Sequence, residues 1–257
     1  MKSHVVTRRT SKTLFYGIVL VMIIFVSVVF CKTIIVQTNG NIDKKLPIYY
    51  VDTKDKKIAL TFDCAWENSN TQEILDLLST ANAKATFFVT GDFCERHPND
   101  VKMLSKAGHS IQNHSNKHPH VKNIEKERLI KDTTECDKII ENITGKKPTL
   151  YRAPYGEYSN TMLSVFETDL KHKVIQWNVD SVDWKRPTPE KMNERILKGV
   201  KPGSILLFHN DIENTTQALT TLLPTLRKQG YEFVLVEDLI YKENYYLDHE
   251  GKQVKSQ

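Results

Sequence analysis

Residues 57–89, KIALTFDCAWENSNTQEILDLLSTANAKATFFV, alternate two short apolar runs with one amphipathic stretch. Ile58-Ala59-Leu60-Thr61-Phe62 is almost wholly apolar and too short for a helix, the pattern of a strand buried on both faces. Thr71 to Leu78 (TQEILDLL) carries its apolar residues at helical spacing, and Ala85 to Val89 (ATFFV) is again strand-like. Strand, helix and buried strand within about 30 residues make a βαβ unit, whose strands are parallel.

The same rhythm extends outward. A lead-in strand is expected at Pro47 to Val51, a helix after Pro98, a short strand near Ser110-Ile111 and a long helix over Lys126 to Ile143. Strands follow at Val174 to Val179, Ser204 to Phe208 and Glu232 to Val236, with helices Pro189 to Val200 and Thr216 to Gln229 between them. The expected fold is α/β, a mainly parallel sheet wrapped by helices and plausible as one barrel-like domain. In such folds chemistry collects at the C-terminal ends of the strands.

The chain of 257 residues is 40% hydrophobic and 26% charged, which excludes a disordered or low-complexity protein. Four cysteines in this length exclude a disulfide-built miniprotein. The net charge of +5 is confined to the N-terminal flank: residues 1–32 hold Lys2, Arg8, Arg9, Lys12 and Lys32 and no acidic residue. The remaining 225 residues carry 31 basic and 31 acidic groups, so the body has no basic footprint for nucleic acid. Residues 13–31, TLFYGIVLVMIIFVSVVFC, are uncharged and as a helix would span roughly 28 Å, near the thickness of a bilayer core. No small-residue cleavage pair follows, so the stretch reads as an uncleaved signal anchor. The resulting organisation is a cytoplasmic basic flank (1–12), a transmembrane anchor (13–31), a stalk (32–46), an extracytoplasmic α/β domain (47–241) and a dispensable polar tail (242–257).

Several reactive side chains fall at expected strand ends. Asp63 and Cys64 follow the first buried strand. His114 and His118 form an H-x3-H pair that one helical turn would bring to one face, where two imidazoles can grip a metal. Arg152-Ala153-Pro154-Tyr155-Gly156 follows a strand-like Leu150-Tyr151, Asp180, Asp183 and Trp184 follow Val179, and His209 follows Phe208. Taken singly, Asp63 also fits a turn or cap, Cys64 a small buried apolar residue, and His209 a satisfied strand-end histidine. The Arg152 motif alone also fits an ordinary surface turn. Together, a carboxylate, a His pair, an arginine and an Asp–His couple suit metal-assisted hydrolysis of an amide or ester.

These residues resemble those of the NodB-type polysaccharide deacetylases, the family 4 carbohydrate esterases. Five motifs stand in family order: Thr61-Phe62-Asp63, His114-Ser115-x-x-His118, Arg152-x-Pro154-Tyr155-Gly156, Asp180-x-x-Asp183-Trp184 and Leu207-x-His209. The resemblance covers residues 47–240 and implies a distorted, incomplete (β/α) barrel that removes acetyl groups from a cell-wall amino-sugar polymer such as peptidoglycan. It implies Asp63 as general base, His114 and His118 as ligands of a divalent metal (Zn2+, with Co2+ as the alternative), and Arg152 as the residue orienting Asp63. It further implies the Tyr155 N–H as an oxyanion donor, Asp183 tuning the general acid His209, and Trp184 and Leu207 walling the acetyl methyl. Where the family has a second Asp as third metal ligand, this chain has Cys64. A thiolate binds zinc at about 2.3 Å, so a Cys64–His114–His118 site is one expectation. A site degraded to two ligands, in a non-catalytic glycan-binding or sporulation scaffold, is the other. The surrounding TFDCAWE resembles a sporulation-associated subgroup of Gram-positive spore formers, and deacetylation of an O-acetylated plant polysaccharide would use the same site. Cys94 and Cys136 could pair or remain buried thiols.

Overall fold

The computed structural model describes residues 15–27, 44–67 and 69–256, which fall in two compact units, residues 1–44 and 45–257. In the first unit residues 15–27 form helix α1. The remainder of the expected anchor, the basic flank and the stalk up to residue 43 lie outside the described residues. Among the described residues no helix is long and apolar enough to cross a membrane.

The second unit runs β1 (Tyr50–Val51), β2 (Lys57–Cys64), α2 (Thr71–Thr80), β3 (Ala85–Val89), α3 (Gly91–Arg96), α4 (Pro98–Lys106), β4 (Ser110–Asn113) and α5 (Lys126–Thr144). It continues through β5 (Leu150–Tyr151), α6 (Asn160–Val165), β6 (Lys173–Val174), β7 (Val179–Asp180), α7 (Pro189–Gly199), β8 (Ile205–His209), α8 (Glu213–Lys228) and β9 (Glu232–Phe233). The short helix α9 (Val236–Leu239) and the strands β10 (Tyr245–Leu247) and β11 (Lys252–Lys255) complete it. The main sheet has the order β6-β5-β4-β3-β2-β8-β7, with β9 added at the start of β2, and every pair is parallel.

β2 lies at the centre. Its side chains alternate: Ile58, Leu60, Phe62 and Cys64 join the large cluster beneath α2, α3 and α8, whereas Ala59 packs inward with Phe88, Leu150 and Ile205. Phe62 stacks between Phe87 and Phe208 with ring centroids 4.9 and 5.5 Å away, which ties the three central strands together. Burial on both faces is what the apolar run predicts for a central parallel strand.

The stretch expected as one strand, Val174 to Val179, is two. β6 and β7 sit at opposite edges of the sheet, and the residues between them cross from one edge to the other. Ile48 bridges Ile175 and Tyr50 bridges Ser204, so the lead-in segment spans the gap between the edges. A curled parallel sheet laced across its gap in this way fits the distorted, incomplete barrel.

The end of the chain departs from expectation. Residues after Lys242 are polar, but β10 and β11 form an antiparallel hairpin whose inner strand pairs with β1. Gln253 is fully buried and exchanges side-chain hydrogen bonds with both backbone groups of Tyr241 (2.8 and 2.7 Å). This tail is part of the fold because polar side chains satisfy its buried backbone. Cys94 and Cys136 are buried free thiols.

Candidate active site

Parallel register sets the centre of the site. Asp63 near the end of β2 is the direct neighbour of His209 at the end of β8, so a carboxylate and an imidazole emerge side by side. Arg152, which follows β5, is fully buried and reaches across to them. Its Nη1 donates to Asp63 Oδ1 and Thr61 Oγ1, both at 2.8 Å, and its Nη2 donates to the Gln176 carbonyl at 3.1 Å. The guanidinium also lies 4.2 Å from the Phe88 ring centroid. Burial pushes the Asp63 pKa up, but the charge and hydrogen bond of Arg152 together with the neighbouring His114 and His209 outweigh it and hold the carboxyl below its usual value. Asp63 is therefore an oriented carboxylate with one oxygen committed to Arg152.

Asp183 opens a 3-10 turn after β7 and is fully buried. It accepts from His209 Nδ1 at 2.6 Å, from the His209 backbone N–H at 2.7 Å and from Thr215 Oγ1 at 2.9 Å. Burial works against charge on His209, yet the bond and charge of Asp183 prevail and push its pKa up to about 9. At neutral pH His209 is a cationic proton donor.

His114 and His118 are brought together by a loop, not by the helical turn expected from their spacing. Ser115 and His118 take left-handed backbone angles (φ 72° and 52°). The Asn113 side chain accepts from Ser115 N at 2.7 Å, Ser115 Oγ accepts from His118 N at 2.9 Å, and Asp132 of α5 accepts from Asn116 N at 2.8 Å. Gly91 is required beneath this loop, since a Cβ there would meet the Asn116 side chain at 1.8 Å. The ring centroids of the two histidines are 5.0 Å apart. His114 Nδ1 donates to the Arg152 carbonyl at 2.9 Å, leaving Nε2 as the free lone pair 3.7 Å from Asp63 Oδ2. Burial lowers the pKa of both rings, that of His118 to about 4, so both are neutral at pH 7.

The pair suits a divalent cation in one respect: His118 Nδ1 is buried without a hydrogen-bond partner, as an uncoordinated ligand nitrogen would be. The expected third ligand does not join it. Alternation along β2 turns Cys64 away from Asp63 into the apolar cluster, where it is 1% exposed and burial raises its pKa well above the usual thiol value. The Cys64–His114–His118 set is not assembled, and no group of three or more His, Cys, Asp or Glu among the described residues could hold a metal ion. Cys64→Ala should leave the metal content of the purified protein unchanged while costing about 1–2 kcal/mol of stability as a small cavity opens. Metal analysis together with urea unfolding checks both; loss of metal would return Cys64 to the ligand set.

The site opens into a cavity of about 600 Å³ that includes Asp63, His118, Tyr155, Leu207 and His209 in its lining. Trp184 joins Leu207 among its lining residues. Tyr155 (φ 59°) and Gly156 (φ 66°) are consecutive left-handed residues, and the Gly156 N–H closes the turn on the Ala153 carbonyl at 3.1 Å. A Cβ at Gly156 would press on Trp177 at 3.1 Å. His120 falls outside the pair and stacks on Tyr155 at 4.3 Å. Sequence reasoning missed Trp66, Trp177 and Asp211. All three tryptophans of the chain line this one cavity, a concentration that becomes visible only once the strands are ordered in space.

The polysaccharide deacetylase pattern matches residues 50–171. Over 211 residues the chain is 34% identical to the peptidoglycan-N-acetylmuramic acid deacetylase PdaA of Bacillus subtilis, covering 80% of each protein. It is 36% identical over 194 residues to a peptidoglycan-N-acetylglucosamine deacetylase of Bacillus cereus, covering 74% of this chain and 91% of that protein. Among solved structures, a CE4 family pseudoenzyme from Bacillus anthracis superposes with a TM-score of 0.72 at 31% identity, over 76% of this chain and 68% of that one. A mutant of that pseudoenzyme is described as having restored enzymatic activity.

Proposed function

The chain belongs to the polysaccharide deacetylase family, and from that premise we propose that it is a hydrolase removing N-acetyl groups from the amino sugars of peptidoglycan. One observation carries this reading: the Asp63 carboxylate and the charged His209 stand on neighbouring strand ends and line one cavity. An amide needs both a base for the attacking water and an acid for the departing nitrogen, and these two groups supply them. Asp63 takes the proton of the water, with Arg152 fixing the carboxylate in place. His209 gives its Nε2 proton to the leaving amine, while Asp183 holds Nδ1 and compensates the imidazolium charge. The Tyr155 N–H donates to the oxygen of the acetyl carbonyl as charge develops there, and Leu207 and Trp184 enclose the methyl group. His114 and His118 would hold a divalent cation, zinc or cobalt, which would polarise that carbonyl. In this reading residues 13–31 anchor the protein and the globular unit faces the wall from outside the membrane, which protease accessibility on intact cells tests.

Acetate release from acetylated chito-oligomers and peptidoglycan fragments, with zinc or cobalt supplied, tests the assignment. Release supports it, and none from either substrate overturns it. A non-catalytic glycan-binding protein is the second reading, favoured by the outward turn of Cys64 from the cavity; glycan binding without acetate release would establish it.

Because His209 acts as an acid, kcat should fall as pH rises through about 9, where its proton is lost. Asp183→Asn removes the charge that raises this value, so the alkaline fall should move down by at least one pH unit, toward the ordinary imidazole value of about 6.5. A pH–rate profile of both proteins checks the shift, and an unmoved alkaline limb would remove His209 from the acid role.

A further inference from the structure

Trp66 has no part in the chemistry above, yet it is placed for a task. Among the described residues of the globular unit the exposed large apolar side chains are Trp66, Tyr155, Trp184 and Tyr246, and the first three line the cavity that holds Asp63 and His209. Trp66 is 55% exposed although it stands only two residues beyond the buried end of β2. Its loop is fastened on both sides of the ring: Arg96 Nη2 donates to the Ala65 carbonyl at 3.0 Å, and Asn210 Nδ2 donates to the Glu67 carbonyl at 2.9 Å. The indole is tilted against His118 with centroids 5.2 Å apart and otherwise faces the opening. An exposed tryptophan on a fastened loop costs free energy in water and presents a pre-set flat surface.

Topology says what the surface faces. Trp66 follows β2 and Trp184 follows β7, and β8 with His209 lies between those strands. Trp66 and Trp184 therefore flank His209 from opposite sides within one cavity. The cavity of about 600 Å³ is also of the size that holds a drug-sized ligand, comparable with two pyranose rings, rather than one ring alone. The body of the chain is formally neutral, so a neutral glycan must be gripped by hydrogen bonds and apolar faces, and a pyranose offers an apolar C–H face to an aromatic ring.

On the reading of the site as an N-deacetylase, we propose that Trp66 is a specificity-determining residue: it stacks on the sugar ring adjacent to the one deacetylated, so that the enzyme selects chains over single acetylated sugars. The test compares kcat and KM for N-acetylglucosamine and N-acetylated chitobiose in wild type, Trp66→Ala and Trp66→Phe. In the alanine variant the advantage of the dimer over the monomer should fall about tenfold, mostly through a higher KM, and phenylalanine should restore most of it. Equal losses for both lengths would mean that Trp66 acts through His118, and an unchanged length advantage would mean that no ring rests on it; either overturns the proposal. Calorimetric binding of chitotetraose provides a readout independent of turnover. If wild type binds the tetramer but releases no acetate, and Trp66→Ala weakens that binding about tenfold, the deacetylase reading fails while the stacking surface stands. Unchanged binding overturns it.

Discussion

Asp63→Asn should lower kcat/KM for acetate release by about 10²–10⁴-fold, the range in which a positioned general base contributes. Asparagine keeps the shape and still accepts a hydrogen bond from Arg152, but it cannot take a proton from water at any working pH. The variant also leaves the guanidinium of Arg152 buried without its counter-charge. Stability should therefore fall as well, and the two effects separate cleanly. The unfolding midpoint reports the lost ion pair, whereas turnover measured well below that midpoint reports the lost base. A variant that retained more than a tenth of wild-type turnover while folded would show that Asp63 is not the base. The pH dependence of stability gives a second handle. The Asp63 pKa is depressed in the folded protein, so its contribution is present above the unfolded carboxyl value and is lost as pH falls through the folded one. That acid-side loss should disappear in the asparagine variant.

Arg152→Met is expected to have the largest effect on folding, about 3–5 kcal/mol, because it strands a buried carboxylate and removes donors from several acceptors at once. With the guanidinium gone, burial is the main force left on Asp63, and its pKa should rise. In whatever folded fraction survives, the acid limb of activity should move to higher pH. Arg152→Lys keeps a charge but lacks the planar fork, so it should recover the position of the acid limb better than it recovers stability. Denaturant unfolding and a pH–rate profile of the two variants decide this. Equal stability of Arg152→Met and wild type would mean that the buried pair contributes nothing to the fold.

What could be read from the sequence follows from how local each signal was. β2, β3, α2 and α7 were legible because apolar spacing within ten or so residues decides a strand or helix. The split of Val174–Val179 into two strands was not, since nothing local says that a chain leaves one edge of a sheet and arrives at the other. The Asp63, Arg152 and Asp183–His209 positions were found from strand-end placement, and register then explains why they meet. Cys64 was misplaced because β2 continues through it in this chain, so strand alternation carries its side chain into the apolar cluster while Asp63 faces the site. The His pair was expected on a helical turn because four-residue spacing suggests one, whereas left-handed Ser115 and His118 reach the same proximity through a loop. Trp66 stands in the TFDCAWE stretch without a role of its own there and becomes informative only through its exposure and its neighbours.

The pairing of β1 with β11 has a consequence for how the chain acquires its shape during synthesis. Tyr50 is aligned with Lys252 and Val51 with Gln253, so the strand that laces the barrel gap meets its partner only once residues 252 and 253 have left the ribosome. Such a contact spans nearly the whole globular unit and adds loop-closure cost before any reward, which slows closure. The gap between the edge strands β6 and β7 should thus be the last part to set, after the β2–β3–β4 core has formed. A stalled nascent chain ending near residue 242 would carry Asp63, His209 and the histidine loop on a core whose gap is still unfastened.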